Sequence, residues 1–300
     1  MSVPATVVSA WKQQAIWSAA ASKLKLQVQN ARVRILALIV VSAVLETAAA
    51  QLANLPGHAM TASRIGAASG AVLIAIATLL QARVRTEERL TKWIRARAAS
   101  EALKEQVFRY STRSGIYDVP DPESILRDAT SSIIEKVRDI EAVAVTIEPT
   151  LREPPCPLDL SGYVKERVEK QIENYYRPRA LELARQRDTW RRTQTILLFA
   201  GAGLGALVTL VPGSGIGAWV AVFTTVAGAL GAHIEALLFD HLVISYRATA
   251  TRLEFLRDEW HDKLSRKQLT PAERSGFVDR CEDAISVENQ AWMANWTKAT

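Results

Sequence analysis

The chain has 300 residues, of which 49% are hydrophobic and 23% charged, and it carries two cysteines and a formal net charge of +6. This composition excludes an intrinsically disordered chain and a small disulfide-bonded scaffold. A basic balance suits either nucleic acid or an anionic membrane surface, so the distribution of the charged residues has to decide between them.

The first half of the chain predicts a helix followed by a pair of membrane spans. Residues 11–30 are rich in Ala, Gln, Lys and Leu, which are good helix formers. Residues 35–55 are mainly apolar, with Glu46 as their charged side chain, and residues 65–82 contain no charged side chain. Because a helix needs about 20 mainly apolar residues to cross the hydrocarbon core, we expect spans at about 35–55 and 65–82, with a turn between them.

Polar residues form a stripe along the first of these spans. They stand one to four positions apart and are Ser42, Glu46, Thr47, Gln51 and Asn54. An ionised carboxylate near the middle of a bilayer is costly, and it usually faces a bundle interior, a partner or water. Two interpretations stay open. Either the stripe lines a water-filled pore, or Glu46 is protonated or paired and holds helices together.

After the second span, residues 86–148 predict helices outside the membrane. Asp121 followed by Pro122 is typical of a helix N-terminus, with the aspartate as the cap and the proline in the first turn. Apolar residues then step by three and four positions up to Ile147, which favours a long helix over a strand at 142–147. Prolines at 149, 154, 155 and 157 predict a linker, so we divide the chain into units 1–150 and 151–300.

The second half repeats this pattern with a clearer hydrophobic window. Residues 161–192 predict a charged amphipathic helix with a kink at Pro178. Residues 193–234 contain no Asp, Glu, Lys or Arg, and a Pro-Gly-Ser-Gly turn lies within them. The window predicts spans at about 194–211 and 216–238, and because both arms are apolar all round, a membrane hairpin is favoured over a buried soluble one.

Residues beyond the fourth span predict two long helical stretches. The helical pattern of apolar residues continues through Leu253 and Trp260 without a break. Residues 270–273 form a capping box with proline at the first helical position, which opens a last helix reaching residue 298. One face of that helix carries apolar side chains: Phe277, Cys281, Ile285, Trp292 and Trp296. We expect the helices outside the membrane to form a cytoplasmic bundle, with Cys281 as a small core residue.

The positions of the arginines predict how the spans are oriented. They flank the outer ends of the spans at positions 32, 34, 83, 85, 185, 187, 191, 192, 247 and 252, whereas the two turns hold only Arg64. By the positive-inside rule, both hairpins have the same orientation and both termini are cytoplasmic. The sequence therefore predicts an all-α membrane protein with two parallel-oriented transmembrane hairpins, and no nucleic-acid partner is expected.

No pattern of catalytic or metal-binding residues stands out in the sequence. The four histidines lack the spacing of a zinc site, and there is no phosphate-binding loop or nucleophile–base pair. We therefore expect no enzyme activity, no metal and no cofactor. Glu235, near the end of the fourth span, can reach the polar boundary and is a weaker candidate for an intramembrane site.

Glycines four positions apart predict close packing of the helices in lipid. The pairs are Gly66 with Gly70, Gly201 with Gly205, and Gly213 with Gly217. Gly201, Gly203 and Gly205 do not form a dinucleotide-binding motif, because they follow no strand and lie within an apolar span.

Several stretches of the chain resemble one bacterial family. Residues 98–110, with Gly115, Ile116 and Tyr117 after them, follow the first hairpin. Residues 163–167 precede the second hairpin, residues 246–253 follow it, and residues 282–288 lead to Trp292. In their order around the hairpins these stretches resemble tandem SLATT proteins, which carry two-transmembrane effector domains associated with SMODS nucleotidyltransferases and SLOG nucleotide sensors.

The resemblance implies a helical inner-membrane effector of a bacterial anti-phage or conflict system, which forms a pore or disrupts the membrane and kills an infected cell. Since four spans are too few to enclose a wide pore, a homo-oligomer in the lipid bilayer is expected. No fused sensor domain is evident, so a separate nucleotide-signalling or phage-sensing protein is the expected trigger. The alternatives are a non-conducting membrane scaffold or sensor that recruits a cytoplasmic partner, and then an ion channel or transporter.

Overall fold

The computed structural model describes residues 3–53, 59–85, 88–145, 147–211, 215–266 and 270–298, and their side chains except those of 83–85, 88–89, 264–266 and 287–298. The regular elements of these residues are all helical. The α-helices are α1 (Ala5–Leu52), α2 (Ala59–Arg85), α3 (Glu88–Ser111), α4 (Pro122–Glu135), α5 (Ala142–Val145), α6 (Leu160–Tyr163), α7 (Arg177–Leu210), α8 (Gly217–Ala236), α9 (Phe239–Arg266) and α10 (Pro271–Lys298). Short 3₁₀ turns lie at Gly115–Tyr117 and Arg138–Ile140, and π-helical stretches lie at Val164–Glu169 and Ile172–Tyr176.

Four helical stretches of the described chain are long and apolar enough to cross a membrane. They are Ala5–Leu52, Ala59–Ala82, Leu160–Leu210 and Gly217–Lys263. Each holds one of the four predicted spans, apart from up to three residues at a span end. The chain is therefore an all-α, multi-pass membrane protein, as predicted. The predicted turn at 55–58 lies outside the described residues, and so does most of the Pro-Gly-Ser-Gly turn.

The two predicted helix starts are confirmed by their capping hydrogen bonds. The side chain of Asp121 accepts from the backbone N–H of Ser124 at 3.2 Å, ahead of α4. At α10, the Thr270 hydroxyl accepts from the backbone N–H of Glu273 at 3.3 Å, and the Glu273 carboxylate accepts in return from the Thr270 N–H at 2.9 Å. Each bond satisfies a backbone donor that has no partner within its own helix.

The long helix predicted after Asp121 is wrong in its extent. α4 ends at Glu135, a 3₁₀ turn follows at Arg138–Ile140, and α5 is a single turn. Val137 and Ile140 are buried all the same. The apolar spacing therefore predicted correctly that these residues are buried, although they do not lie on one continuous helix.

The helix predicted to continue past the fourth span is also interrupted. α8 ends at Ala236 and α9 begins at Phe239, with Leu238 between them at a positive φ of 52°. A left-handed backbone is unfavourable for a leucine by about 1–2 kcal/mol. Arg32 donates to the Ala236 carbonyl at 2.7 Å, so a side chain from α1 satisfies one of the acceptors that the helix end exposes.

The chain forms two compact units, and each draws on both halves of the sequence. We call Met1–Leu26, Glu88–Glu182 and His241–Thr300 the bundle unit, and Gln27–Glu87 and Leu183–Asp240 the span unit. α1 and α7 each contribute residues to both units because they run through the boundary uninterrupted. The division of the sequence pattern at residue 150 stays a prediction.

The bundle unit has a core rich in aromatic side chains. Its fully buried residues include Trp17, Leu103, Tyr117, Tyr163 and Leu253. Phe277, Cys281 and Ile285 of α10 and Trp260 of α9 are buried as predicted, whereas the side chains of Leu264, Trp292 and Trp296 lie outside the described residues. Burial raises the pKa of the Cys281 thiol, which agrees with its expected role as a small core residue.

Candidate functional site

The polar stripe of the first span meets α2 at Ser42 and Glu46. Ser42 is buried, and its hydroxyl lies 2.9 Å from the Gly70 carbonyl and 3.2 Å from Glu46 Oε1. The aliphatic part of Glu46 crosses α2 at Gly70, where an added methyl group would lie 2.5 Å from Glu46 Cγ. Glu46 is nevertheless exposed within the single chain. The site thus presents a carboxylate on the surface of an otherwise apolar helix.

A second close approach of α1 and α2 lies about two turns away. The Ser63 hydroxyl donates to the Ala49 carbonyl at 2.8 Å, and both residues are buried. A methyl group added at Gly66 would lie 3.2 Å from Ala49 Cβ. Small residues bring the two backbones close enough for a serine on one helix to reach a carbonyl of the other, which is the packing expected in lipid.

The remaining residues of the stripe are distributed differently. The side-chain amide of Gln51 donates to the backbone carbonyl of Gly215, at the start of the region leading into α8. Gly215 has a positive φ of 69°, a conformation that favours glycine. Thr47 is half-buried, and Asn54 lies outside the described residues. Ser42 and Glu46 of α1 therefore lie together against α2, whereas Gln51 links the first hairpin to the second.

The predicted glycine pairs of the second hairpin have unequal surroundings. A methyl group added at Gly201 would lie 3.3 Å from Phe223 Cβ, and one at Gly217 would lie 3.7 Å from Val208 Cγ2. At Gly205 the same methyl group would meet nothing within 4 Å. Gly213 lies outside the described residues. Within the chain, Gly201 and Gly217 face the other arm of their hairpin and Gly205 faces open space, so a packing role for Gly205 stays a prediction.

One polar contact of this hairpin was missed by the sequence reasoning. Gln194, at the start of the third span, donates from its amide to the Ala227 carbonyl of α8 at 3.2 Å. Its side chain lies over Gly231, where a methyl group would come within 2.6 Å of the amide nitrogen. The signal that was overlooked is a long polar side chain in one span opposite a glycine in the next.

Charged residues at the ends of the second hairpin form an exposed cluster. Asp240 accepts from Arg187 at 2.8 Å and from Arg191 at 2.7 Å, and the ring of Trp190 lies edge-on to His233 at 5.6 Å. Glu235 is exposed. Ion pairs this accessible contribute about 0–1 kcal/mol each to protein stability. The cluster therefore marks the end of the span but adds little to the stability of the fold.

The bundle unit contains a buried ion pair that the sequence reasoning did not identify. Arg167 in the first π-helical stretch makes two hydrogen bonds to Glu282 of α10, Nε to Oε1 at 2.9 Å and Nη2 to Oε2 at 2.7 Å. The Tyr163 hydroxyl donates to the same carboxylate at 2.9 Å, and the Phe108 ring lies 4.9 Å from the guanidinium carbon. Arg167 and Glu282 are each only 1% exposed.

This ion pair connects two stretches that carried the family resemblance, residues 163–167 and 282–288. A buried charge is tolerated when it is paired and hydrogen-bonded, as it is here on both sides. The available sequence signal was Tyr163 and Arg167 at helical spacing, but nothing in the sequence indicated which acidic residue would reach them. Among the described residues, no group of three or more His, Cys, Asp or Glu could hold a metal ion.

Comparison with known families matches both halves of the chain. Residues 163–292 match the SMODS and SLOG-associating 2TM effector domain 1, and the matched range contains α7, α8 and α9. Residues 15–124 match a family of proteins of unknown function, DUF4231, and this range contains the first hairpin. No curated protein and no solved structure matches the chain with significance. Residues 163–292, in the second half of the chain, are thus similar to the SMODS- and SLOG-associating two-transmembrane (SLATT) effector family that the sequence resembled.

Proposed function

We propose that this membrane effector assembles as a homo-oligomer in a bacterial inner membrane and permeabilises it when triggered. The effector family of residues 163–292 and the four apolar helices support a role exerted in the bilayer. In this proposal both termini and the bundle unit are cytoplasmic, in keeping with the arginines that flank the spans. Loss of the membrane barrier then stops an infected cell, as in anti-phage abortive infection, without any catalytic step.

The observation that carries the proposal is the exposed carboxylate of Glu46. Placing an ionised side chain at the centre of a lipid bilayer costs about 2.5–3.5 kcal/mol on insertion scales. Among the described residues, Glu46 accepts a hydrogen bond from the Ser42 hydroxyl. In an assembly that turns this face of α1 towards a common axis, the carboxylate meets water and the cost is removed. One chain has too few spans to enclose a wide pore, so several copies are required.

Leakage of a fluorescent dye from liposomes tests this proposal. The purified full chain is reconstituted beside Glu46→Leu, which removes the carboxylate, and Glu141→Leu, which makes the same change at an exposed position of the bundle unit. We expect dye release by the wild type and by Glu141→Leu, and at least a tenfold slower release by Glu46→Leu. Cross-linking in the same liposomes reports the oligomer.

Two results would contradict the proposal. Unchanged leakage in Glu46→Leu would remove Glu46 from the pore wall. Absence of leakage from cross-linked oligomers would favour a non-conducting scaffold that recruits a cytoplasmic partner, and capture of a stable partner without any effect on membrane potential would support that alternative. The trigger is proposed to come from a separate nucleotide-signalling or phage-sensing protein. If so, liposomes that contain this sensor together with the chain should release the dye faster than liposomes that contain the chain alone.

A further inference from the structure

A cleft of about 700 Å³ lies within the bundle unit. Its walls come from residues 11–22 of α1, residues 97–108 of α3, residues 166–176 of the π-helical region, and residues 150–155 of the linker. The volume falls in the range of about 300–1,000 Å³ that is typical of small-molecule sites. The cleft uses neither Glu46 nor any other residue of the spans, so the proposed pore leaves it unexplained.

Basic side chains outnumber acidic ones around this cleft. Five cations line it, against three glutamates: Arg97, Lys104, Arg152, Arg167 and Lys170. Arg167 is paired with Glu282, and Lys170 is paired with Glu166. Arg97 also donates to the hydroxyl of Tyr175 at 2.8 Å. Lys104 Nζ lies 3.3 Å from the end of the Gln171 side-chain amide, which accepts from it when the amide oxygen is placed there.

The pKa shifts of two buried groups that line the cleft agree with this excess of positive charge. Burial lowers the pKa of the Lys104 ammonium against the opposing effect of Glu101, and Arg167 lowers this pKa further. Burial by itself raises the pKa of the Glu101 carboxyl, yet Lys104, Arg167 and Arg97 together bring that pKa below its usual value. Both shifts are the ones that a partly dehydrated, cation-rich cavity produces.

The wall formed by residues 166–176 has an unusual backbone. Residues from both π-helical stretches, Val164–Glu169 and Ile172–Tyr176, contribute to it. A π-helical turn is rare and is frequently found at functional sites, where it turns side chains away from the ordinary helical spacing. Arg167 and Tyr175, one from each stretch, line the cleft. The Tyr175 ring lies 5.9 Å from the guanidinium carbon of Arg97, so a planar aromatic surface stands beside a cation.

We propose that this cleft binds a small organic anion that carries phosphate or carboxylate groups and a planar ring. Arg97, Lys104 and Arg152 hold the anionic groups, and Tyr175 supplies a surface for the ring. Guanidinium groups suit this role because their planar donors match phosphate and carboxylate oxygens in pairs. The ligand would contact both halves of the sequence, since α1 and α3 precede the linker and the π-helical region follows it.

Calorimetric titration of the full chain in detergent, at physiological salt, tests the site with four probes. These are pyrophosphate, citrate, adenosine triphosphate and uncharged adenosine. We expect at least one anionic probe to bind and adenosine alone not to bind. Tighter binding of the triphosphate than of pyrophosphate indicates the ring contact, while binding of citrate in place of pyrophosphate identifies carboxylates as the anionic groups.

Neutral variants then locate the binding site. Arg97→Gln and Lys104→Gln are expected to weaken the binding about tenfold or more, the effect of losing one charged hydrogen bond of about 1.4 kcal/mol. Arg152→Gln tests the same prediction at an exposed linker residue, where folding is not in question. Lys12→Gln, an exposed lysine of α1 outside the cleft, is the matched control. Failure of every anionic probe to bind the wild type, or equal weakening in Lys12→Gln, would overturn the proposal without bearing on liposome leakage.

Discussion

The span unit and the bundle unit hold their helices together by different means. In the span unit, small residues bring α1 and α2 together, and serine hydroxyls reach backbone carbonyls of the facing helix, as Ser42 does at Gly70 and Ser63 at Ala49. In the bundle unit, the core consists of large aromatic and aliphatic side chains around the ion pair of Arg167 and Glu282. The same chain therefore uses two packing chemistries within its helices.

The difference fits the proposed location of the span unit in lipid and of the bundle unit in water. Lipid is as apolar as leucine, so burying an apolar side chain between two spans gains little, and close contact and hydrogen bonds have to hold them. Water rewards the burial of apolar area by about 25 cal/mol per Å², so a core of large side chains is effective in the bundle unit. Three predictions follow from this contrast. Each compares a substitution that disrupts one kind of contact with a matched control substitution.

The largest expected effect is on the buried ion pair. Arg167→Met leaves the Glu282 carboxylate inside the bundle unit without its cation, and we expect a loss of stability of about 3–5 kcal/mol. The measurement is equilibrium unfolding in detergent, followed by tryptophan fluorescence.

Arg280→Met is the control for this change. Arg280 lies on α10, as Glu282 does, and its exposed pair with Glu259 of α9 is expected to contribute less than about 1 kcal/mol. Adding Glu282→Leu to Arg167→Met is expected to restore part of the lost stability, since it removes the buried charge. Equal effects of Arg167→Met and Arg280→Met would show that the buried pair is not important to the bundle unit.

An intermediate effect is expected where α1 crosses α2. The methyl group of Gly70→Ala would lie 2.5 Å from Glu46 Cγ, so the two helices have to move apart, at a cost of about 1–3 kcal/mol. Gly203→Ala is the matched control, because its methyl group meets nothing within 4 Å and alanine favours the helix. Unfolding in mixed micelles measures both.

The double variant Gly70→Ala/Glu46→Ala separates this clash from a general effect of the glycine. Removing the Glu46 stem frees the space that the new methyl group needs, so stability is expected to return towards that of Glu46→Ala alone. A loss in Gly70→Ala that persists in the double variant would mean that α2 itself, and not its contact with α1, requires the glycine.

The smallest effect is expected at the N-terminus of α10. The hydrogen bond from the Thr270 backbone N–H, helped by the Thr270 hydroxyl, lowers the pKa of the Glu273 carboxyl. Because this pKa is lower in the folded than in the unfolded state, the contribution of the carboxylate is complete above the unfolded pKa. It is lost as the pH falls through the folded pKa.

The measurement is the melting temperature of the wild type and of Glu273→Gln at pH 7 and pH 3. The wild type should be the more stable protein at pH 7. The difference should shrink at pH 3, where the Glu273 carboxyl is protonated to a larger extent. Glu141→Gln, at an exposed glutamate of the bundle unit, serves as the control. A gap between wild type and Glu273→Gln that is the same at both pH values would contradict the assignment.

Much of the fold could be predicted because it depends on local and compositional signals. The apolar windows predicted the four spans, since a helix in lipid has to be apolar over its whole length. Asp121 and the Thr270–Glu273 pair predicted two helix starts, because a cap involves only neighbouring residues. The polar stripe at Ser42 and Glu46 was visible as a departure from an apolar background, although its contact with Gly70 was not.

Tertiary structure decided what depends on partners far apart in the chain. The pairing of Arg167 with Glu282 joins residues that no short-range pattern connects, and the cleft combines walls from α1, α3, the linker and the π-helical region. The break at Leu238 likewise coincides with a contact from Arg32 to the end of α8, far away in the sequence. Hydropathy and capping identify which residues enter the membrane and where helices begin, because these are properties of neighbouring residues. Which charges meet inside the protein is set by how the helices pack, and so the structure alone assigned it.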